Sequence, residues 1–370
     1  MTYRTLCLLT LVPFSLIGAS CNKTSDGGVY RSLDSGESWE AVTFISSDGK
    51  RAERINEVDV FAMSFHPEDP NIIYLGTKEN GLYLTLTGGE SWYQSDVDSG
   101  AVRAVAIDPV DPNNVYLAKD KTVMKSTDQG LTWETVYADV QGGTIKALAV
   151  DSFEHSRVYA ATSVGTVLKS VDYGVNWDLI MQIGDGIEQL LIAPHDTRII
   201  YVLTDDQVIY QSSSGGELLD SPAEDINAGW TELITKEVQD QFDNSQQVFQ
   251  ISLDQNDPTI LYTVTRRGLM QGKNNGHDWS DIITLVGVDD KKNDSIRNVS
   301  TVPGKPNELY FTLGHVVHKS VDAGVTWKVI ENFPSSRIIY HYLIDPQTPN
   351  VMYAGMYQEE KQSGLIKQKK

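Results

Sequence analysis

The octapeptide STDQGLTW at residues 126–133 recurs along the chain and decides the fold. Close copies are SLDSGESW at 32–39, SVDYGVNW at 170–177 and SVDAGVTW at 320–327; weaker copies are TLTGGESW at 85–92 and GKNNGHDW at 272–279. A seventh copy at 212–230 carries an eleven-residue insertion between its Gly and its Trp. All seven tryptophans of the chain end a copy: Trp39, Trp92, Trp133, Trp177, Trp230, Trp279 and Trp327. Self-similarity of this kind indicates a repeat architecture.

A series of seven tyrosines runs beside the octapeptides. Each Tyr lies in a β-type run such as NVYLA or IIYVL: Tyr74, Tyr116, Tyr159, Tyr201, Tyr262, Tyr310 and Tyr353. The first six lie ten or eleven residues before the next octapeptide. A further apolar run precedes each Tyr and ends at a turn signal such as Asp-Pro. One repeat therefore contains four strands: a (AVAID-like), b (VYLA-like), c (TVMKS-like) and d, which begins at the Trp.

The Tyr-to-Tyr steps are 42 to 48 residues, and 61 where the insertion lies. Four strands in a period of this length are typical of a β-propeller. The sequence therefore predicts an all-β chain with a single seven-bladed β-propeller of four-stranded antiparallel blades over 27–370. Residues 27–42 supply only strands c and d, and residues 337–357 only strands a and b, so the two termini together close the ring. The segment SGLIKQ (363–368) is a surplus c-like strand that competes with 27–32 for that place.

Composition and the N-terminus predict the location of the chain. The formal net charge of -20 disfavours nucleic acid as a partner. Residues 1–20 read as a signal peptide, with Arg4, an apolar stretch over 6–17 and a small-residue end. Cys21 follows, in the position of a lipoprotein acylation site, and 21–26 is a short linker. We expect a monomer in the bacterial cell envelope, periplasmic or at the cell surface, anchored by lipid on Cys21; secretion without a lipid is the alternative.

The octapeptide resembles the Asp-box of bacterial neuraminidase (BNR) repeats, Ser-x-Asp-x-Gly-x-(Ser/Thr)-Trp. Four copies keep the carboxylate, as Asp34, Asp128, Asp172 and Asp322; Thr87, Ser214 and Asn274 replace it elsewhere. A catalytic or metal-binding carboxylate would not tolerate replacement in three of seven copies. The boxes are therefore expected to be structural: the Asp accepts turn hydrogen bonds, the Gly provides a positive φ, and the Trp packs between blades. No metal or cofactor is predicted.

A ligand site is predicted at the mouth of the central channel. The residue five positions before the end of each a-strand faces that mouth in the repeat alignment: Phe61, Arg103, Lys146, Glu188, Phe249, Arg297 and Tyr340. Cations and aromatic rings in one circle suit a binding surface. The alternative is that they are ordinary side chains of a solvated channel. Three long d–a connections, 44–57, 236–246 and 286–294, are either solvated loops or a binding rim.

The repeat is similar to those of four protein classes. These are sialidases, xyloglucanase-type glycoside hydrolases, the photosystem II stability/assembly factor family and sortilin-type domains. The sialidase Arg-Ile-Pro signature is absent, xyloglucanases place their cleft between two propellers, and no family catalytic residue has a matching position here. The resemblance to the assembly factors implies binding without chemistry. We therefore expect a propeller that binds a protein or glycan without catalysis; a glycoside hydrolase and a purely structural surface protein are the alternatives.

Overall fold

The structure is a computed structural model, which describes residues 26–45, 53–217, 225–242, 245, 247–266, 268–284 and 296–359. The predicted signal peptide, Cys21 and the c-like segment 363–368 lie outside these residues, as do the connection 286–294 and part of the insertion in the seventh octapeptide.

The regular secondary structure of the described residues is almost entirely β-strand. Its first strands are β1 (Val29–Ser32), β2 (Glu40–Ala41), β3 (Phe44–Ile45), β4 (Glu53–Arg54), β5 (Val60–Phe65), β6 (Ile73–Thr77), β7 (Leu82–Thr85), β8 (Tyr93–Gln94), β9 (Val102–Ile107), β10 (Val115–Lys119), β11 (Thr122–Ser126) and β12 (Glu134–Ala138). The next are β13 (Ile145–Val150), β14 (Val158–Thr162), β15 (Thr166–Ser170), β16 (Asp178–Gln182), β17 (Ile187–Ile192), β18 (Ile200–Thr204), β19 (Ile209–Ser212) and β20 (Thr231–Glu232). After helix α1 (Lys236–Gln241) come β21 (Val248–Leu253), β22 (Leu261–Thr265), β23 (Gly268–Lys273), β24 (Asp278–Thr284), β25 (Ile296–Val302), β26 (Lys305–Leu313), β27 (Val316–Ser320), β28 (Lys328–Ile330), β29 (Ile338–Ile344) and β30 (Met352–Tyr357).

Seven four-stranded antiparallel sheets form the blades of a closed ring, which confirms the predicted architecture. Blades 1 to 6 are β5–β8, β9–β12, β13–β16, β17–β20, β21–β24 and β25–β28, and blade 7 has the order β29-β30-β1-β2. In blade 7 the N-terminal strand pairs with the C-terminal one, with Tyr30 opposite Ala354 and Val29 opposite Gly355. Residues 27–32 therefore take the c position. This pairing joins the two ends of the chain and leaves no open blade.

The burial of each strand explains its sequence pattern. The b strands lie inside the sheets and are covered by the neighbouring blades on both faces, so every residue of Val158–Thr162 and Ile200–Thr204 is buried. Continuous apolar runs suit that environment. The a strands line the channel and contain both buried and half-buried residues. The d strands lie on the outer rim and begin with exposed residues.

An apolar cluster fills each of the seven seams between neighbouring blades, and each cluster includes one octapeptide tryptophan. Trp92 is fully buried, and its indole N–H donates to the Val42 carbonyl of blade 7 at 2.7 Å. Trp230 makes the same kind of bond to Ile180 of blade 3. Apolar packing and tryptophan hydrogen bonds between neighbouring blades therefore hold the ring together.

Two of the long d–a connections contain regular structure that the sequence did not reveal. The connection after blade 7 includes the small hairpin β3–β4, and the connection after blade 4 includes helix α1. Within the described residues, no helix has the length and apolar composition needed to cross a membrane.

Candidate functional site at the channel mouth

A β-bulge occurs at the same place in every blade, near the start of the inner strand. In blade 1 the pairing of β5 with β6 shifts between Val60 and Ala62, and the corresponding shift recurs in the six other a–b pairs. The residue between the two shifted positions is in each case one of the predicted mouth residues. A bulge leaves one residue out of the ladder and redirects its side chain. The backbone itself therefore turns these seven side chains away from the sheets.

All seven predicted residues line one cavity of ≈ 390 Å³ at the mouth of the channel: Phe61, Arg103, Lys146, Glu188, Phe249, Arg297 and Tyr340. Phe61 is buried, and the other six are half-buried. The structure thus brings together residues that are up to 279 positions apart in the chain (340 − 61). Their role in binding a ligand stays a prediction.

Charges at the mouth are only partly paired. Lys146 Nζ lies 2.5 Å from Glu188 Oε2, so two mouth residues neutralise each other. Arg297 forms an ion pair of 2.6 Å with Glu359, which lies beyond the last strand. Arg103 has neither an ion pair nor a hydrogen bond among the described residues, and its Nε is buried without a partner. A guanidinium in this state has donors available for an acceptor group of a ligand.

Aromatic rings form the side of the mouth next to Arg103. The Arg103 guanidinium lies 4.5 Å from the centroid of the Phe61 ring, within cation–π range. The rings of Phe61, Tyr340 and Tyr357 have centroids 5.1 to 6.0 Å apart. Burial, together with the negative charge of Glu188, raises the pKa of Tyr340 to about 12. The Tyr340 hydroxyl therefore stays protonated at neutral pH and can donate a hydrogen bond.

Sequence reasoning missed a second ring of polar side chains, one residue after the mouth position. In blades 4 to 7 each of these side chains bonds to the inner-strand backbone of the next blade: Gln189 to Ile251, Gln250 to Val299, Asn298 to Ile339 and His341 to Phe61. In blades 1 to 3 the position is alanine. Burial lowers the pKa of His341, so a neutral ring donates from Nε2 to the Phe61 carbonyl. A polar residue inside an apolar a-strand was the available signal.

The Asp-boxes carry internal hydrogen-bond networks. In the box at 126–133, Asp128 Oδ1 accepts from Thr132 N at 2.8 Å, Asp128 Oδ2 accepts from Thr132 Oγ1 at 2.6 Å, and Ser126 Oγ accepts from Gly130 N. The two hydrogen bonds from Thr132, together with the hydrogen bond from the Ser126 hydroxyl, lower the pKa of Asp128 to about 2. Bonds of the same kind lower the pKa of the carboxyl in the three other intact boxes: Asp34, Asp172 and Asp322.

The three boxes without an aspartate differ in how the replacing side chain is hydrogen-bonded. Thr87 Oγ1 does accept from Ser91 N at 3.1 Å. Ser214 instead donates, to the Glu217 carbonyl. The Asn274 side chain makes no hydrogen bond with any described residue, and the turn there has consecutive positive φ values at Asn274 and Asn275. The fold of the box therefore does not require an acceptor at this position.

The boxes lie on the opposite face of the ring from the mouth. In every blade a backbone N–H of the box donates a hydrogen bond to a carbonyl in or near the segment between strands a and b. Gln129 N donates to the Asn113 carbonyl, for example, and Tyr173 N donates to the Ser156 carbonyl. That segment follows the end of the inner strand, whereas the mouth residues lie at its start. No group of three or more His, Cys, Asp or Glu side chains in the described ranges could hold a metal ion.

The residue pattern, the seven sheets and the seven boxes together identify the fold. This chain is a seven-bladed β-propeller with Asp-box repeats. In sequence it is 31% identical to xyloglucanase Xgh74A of Acetivibrio thermocellus over 297 residues, which are 75% of this chain and 26% of the relative. It is 30% identical to vacuolar protein sorting/targeting protein 10 of Aspergillus fumigatus over 105 residues, which are 26% of this chain and 7% of that protein. No protein-family model matches the chain.

Solved propellers of two kinds are similar to the chain in fold. The GH74 xyloglucanase of Xanthomonas campestris superposes with a TM-score of 0.61 at 16% identity, covering 81% of this chain and 51% of that one. YCF48 of Cyanidioschyzon merolae has a TM-score of 0.60 at 16% identity, covering 81% of this chain and 96% of that one. A structure of YCF48 bound to a D1 peptide has a TM-score of 0.59 at 15% identity, covering 81% and 94%. These likenesses establish the fold alone.

The chain spans about a quarter of the length of the xyloglucanases that it matches in sequence, and nearly the full length of the YCF48 propellers that it matches in structure. Its similarity to the xyloglucanases is therefore similarity to one part of a larger protein.

Proposed function

We propose that this propeller is a binding protein that holds a protein or glycan ligand at the channel mouth and performs no catalysis. The observation that carries the proposal is the mouth cavity itself. Seven bulged residues from seven blades line it, and it includes an unpartnered guanidinium, Arg103, beside a cluster of aromatic rings. Partial desolvation of a charge without a counter-ion costs the fold free energy, so its presence in a cavity favours a role in recognition. Proteins that bind at such a surface use aromatic and Arg anchors in the same way.

Similarity of size and fold supports a protein ligand in particular. YCF48, a propeller of nearly the same extent, has been solved with a D1 peptide bound. A single ring of this kind offers a face and a channel mouth to such a ligand. We propose that the chain acts as a monomer and that its ligand is a partner protein or a glycan of the envelope.

A capture experiment tests the site. The wild-type propeller is immobilised and exposed to solubilised native envelope, in parallel with a triple variant, R103Q/K146Q/R297Q. The expected result is loss of the captured ligand by the variant with an unchanged melting temperature. The control is R198Q/K305Q/K328Q, which makes the same change of charge at exposed residues of the box face. Capture that survives the mouth substitutions, or that is lost equally in the control, refutes the proposed site.

A glycoside hydrolase is the second candidate, favoured by the sequence similarity to xyloglucanases. Its carboxylates would be Glu188 at the mouth and Asp205, which lies beside it at the exposed rim. Partial burial, with the negative charges of Glu188 and Asp185, raises the pKa of Asp205 against the opposing effect of Lys146. A carboxyl whose pKa is raised and which lies beside a second carboxylate suits acid–base chemistry. Turnover of xyloglucan by the purified chain, abolished by Asp205→Asn or Glu188→Gln, would establish the enzyme; its absence leaves the binding role.

We also propose that the chain is held in the bacterial envelope by lipid on Cys21. The support is the sequence alone, in the apolar segment before Cys21 and the small residues that precede it. Growth with an alkyne-labelled fatty acid should label the wild-type protein and not C21S. Labelling that persists in C21S contradicts the anchor, and an unlabelled wild type in the culture medium supports secretion instead.

A further inference from the structure

The end of strand β30 brings the chain back to the channel mouth. Tyr357 is the last residue of the strand, and Gln358 and Glu359 continue beyond it; we call Tyr357–Glu359 the strap. The Tyr357 ring stacks on Phe61 with 5.7 Å between ring centroids, and it lies 5.1 Å from the Tyr340 ring. The strap therefore contributes one of the three rings of the aromatic cluster.

The strap also supplies a carboxylate to the mouth. Glu359 Oε1 lies 2.6 Å from the NH2 atom of Arg297, and the two side chains are only 24% and 30% exposed. Between the two ends of the strap, Gln358 N donates to Asp59 Oδ1 at 2.8 Å. Residues of blades 6, 7 and 1 are thus bridged by three consecutive residues of one peptide segment.

The two ion pairs of the mouth differ in how firmly their carboxylates are placed. Glu188 is part of an inner strand, so its pair with Lys146 is built into the sheet. Glu359 follows the last strand, and ladder pairing of β30 ends at Tyr357. A pair between partly exposed groups contributes little to stability. A carboxylate from another chain can therefore compete with Glu359 for Arg297.

We propose that the strap is an internal peptide ligand of the mouth, and that the partner is a peptide segment which displaces it. Such a segment carries an aromatic residue and, two positions later, an acidic one, in the spacing of Tyr357 and Glu359. Its ring packs on Phe61 and Tyr340, and its carboxylate replaces that of Glu359 on Arg297, while Arg103 has donors ready for a further acceptor. This inference rests on the proposed binding function and specifies its partner and its regulation.

Fluorescence anisotropy with a capped, fluorescein-labelled peptide carrying Tyr-Gln-Glu between Gly-Ser flanks tests the inference. The full-length protein is compared with Glu359→Gln, and a peptide carrying Tyr-Gln-Gln serves as the mismatched probe. Glu331→Gln is the matched control, because Glu331 is exposed, lies in a d–a connection on the same face, and makes no ion pair with a described residue. Removing the internal competitor increases the fraction of open sites, so E359Q should bind the acidic peptide about threefold to tenfold more tightly. E331Q should bind as the wild type does.

A double-mutant cycle separates displacement from a general charge effect. In the R297Q background, E359Q should no longer change the affinity, because the two residues act through one contact. Equal affinity of wild type and E359Q, or weaker binding by E359Q, overturns the strap proposal. If that result comes with Arg103-dependent peptide binding, the proposed function stands and only the inference fails. If an oligosaccharide binds and neither peptide does, the peptide class is wrong. If no peptide binds any variant, the strap proposal fails, and capture from native envelope decides the proposed function separately.

Discussion

The guanidinium of Arg103 lies 4.5 Å from the centroid of the Phe61 ring, and within the described residues it forms no hydrogen bond or ion pair. Arg103 comes from the inner strand of blade 2, and Phe61 from that of blade 1. Both are the bulged residue of their strand. Arg103 is thus a cation without a counter-ion beside the aromatic part of the mouth. Its removal should reduce ligand affinity more than it reduces the stability of the fold.

Arg103→Gln should leave the stability of the propeller nearly unchanged. A cation–π contact at a half-exposed site contributes about 0.5–1 kcal/mol, and removal of an unsatisfied buried Nε offsets this loss. Arg337→Gln is the comparison, because Arg337 is half-buried on the same face and its NH1 lies 2.8 Å from Asp59 Oδ1. That change should lower the free energy of unfolding by about 1–3 kcal/mol. Thermal melts of both variants check the prediction, and a larger loss in R103Q than in R337Q contradicts it.

Trp92→Phe should destabilise the ring more than Trp279→Phe. Both changes remove part of an indole from an apolar seam, but only the first breaks a hydrogen bond, from Trp92 Nε1 to the buried Val42 carbonyl. Trp279 Nε1 is buried without a partner, so a phenyl ring there removes an unsatisfied donor. The difference in free energy of unfolding should be about 1–3 kcal/mol. Chemical denaturation followed by circular dichroism measures it, and equal losses would count against the argument.

The number and order of the blades could be predicted from sequence because the same large side chains recur in all seven repeats of the chain. Trp and Tyr recur once per blade, and each fills a seam where a smaller residue would leave a cavity. The seven mouth residues could be placed on one circle because repeats in register put equivalent positions at equivalent depths. The bulge that turns them into the channel could not be foreseen, since it is a shift in pairing rather than a residue type.

The ion pairing of the charged mouth residues also could not be predicted from the sequence. Whether Arg297 or Arg103 is neutralised depends on which carboxylate comes near each in space. Glu359 is 62 residues from Arg297 and follows strand β30, where the other blades turn from strand b into strand c. This pairing depends on the path of the chain after its last strand, and repeat periodicity carries no information about it.

Gly324→Ala should cost more than Gly304→Ala, although both glycines have positive φ, of 90° and 75°. An alanine in this region is strained by about 1–2 kcal/mol at either site. At Gly324, in the box of blade 6, a Cβ would also collide with the side chain of Ile282, whereas at Gly304 it meets nothing within 4 Å. The extra loss should be about 1–3 kcal/mol. Melting temperatures of the two variants provide the test, and a similar decrease in both would mean that the box turn accommodates the methyl group by moving.

The intact Asp-boxes should make the propeller sensitive to acid. The folded-state pKa of Asp128, about 2, lies below the value near 3.9 of an unfolded chain. The ionised carboxylate therefore favours the fold above a pH of about 4, and this contribution disappears as the pH falls toward about 2. The pKa of Asp34, Asp172 and Asp322 is lowered in the same direction. In the variant D34N/D128N/D172N/D322N, the melting temperature should decline less steeply over this range than in the wild type.

Thr87→Asp offers the converse change in the box of blade 1. Thr87 Oγ1 already accepts from Ser91 N at 3.1 Å, and Thr85 Oγ accepts from Gly89 N as the serine of an intact box does. A carboxylate in this prepared turn gains charge-assisted bonds, which are stronger than those of a hydroxyl. The variant should therefore melt at a higher temperature than the wild type at neutral pH and lose that advantage as the pH falls through the range in which box carboxylates titrate. A gain that persists at low pH would show that the aspartate acts by packing and not by its charge.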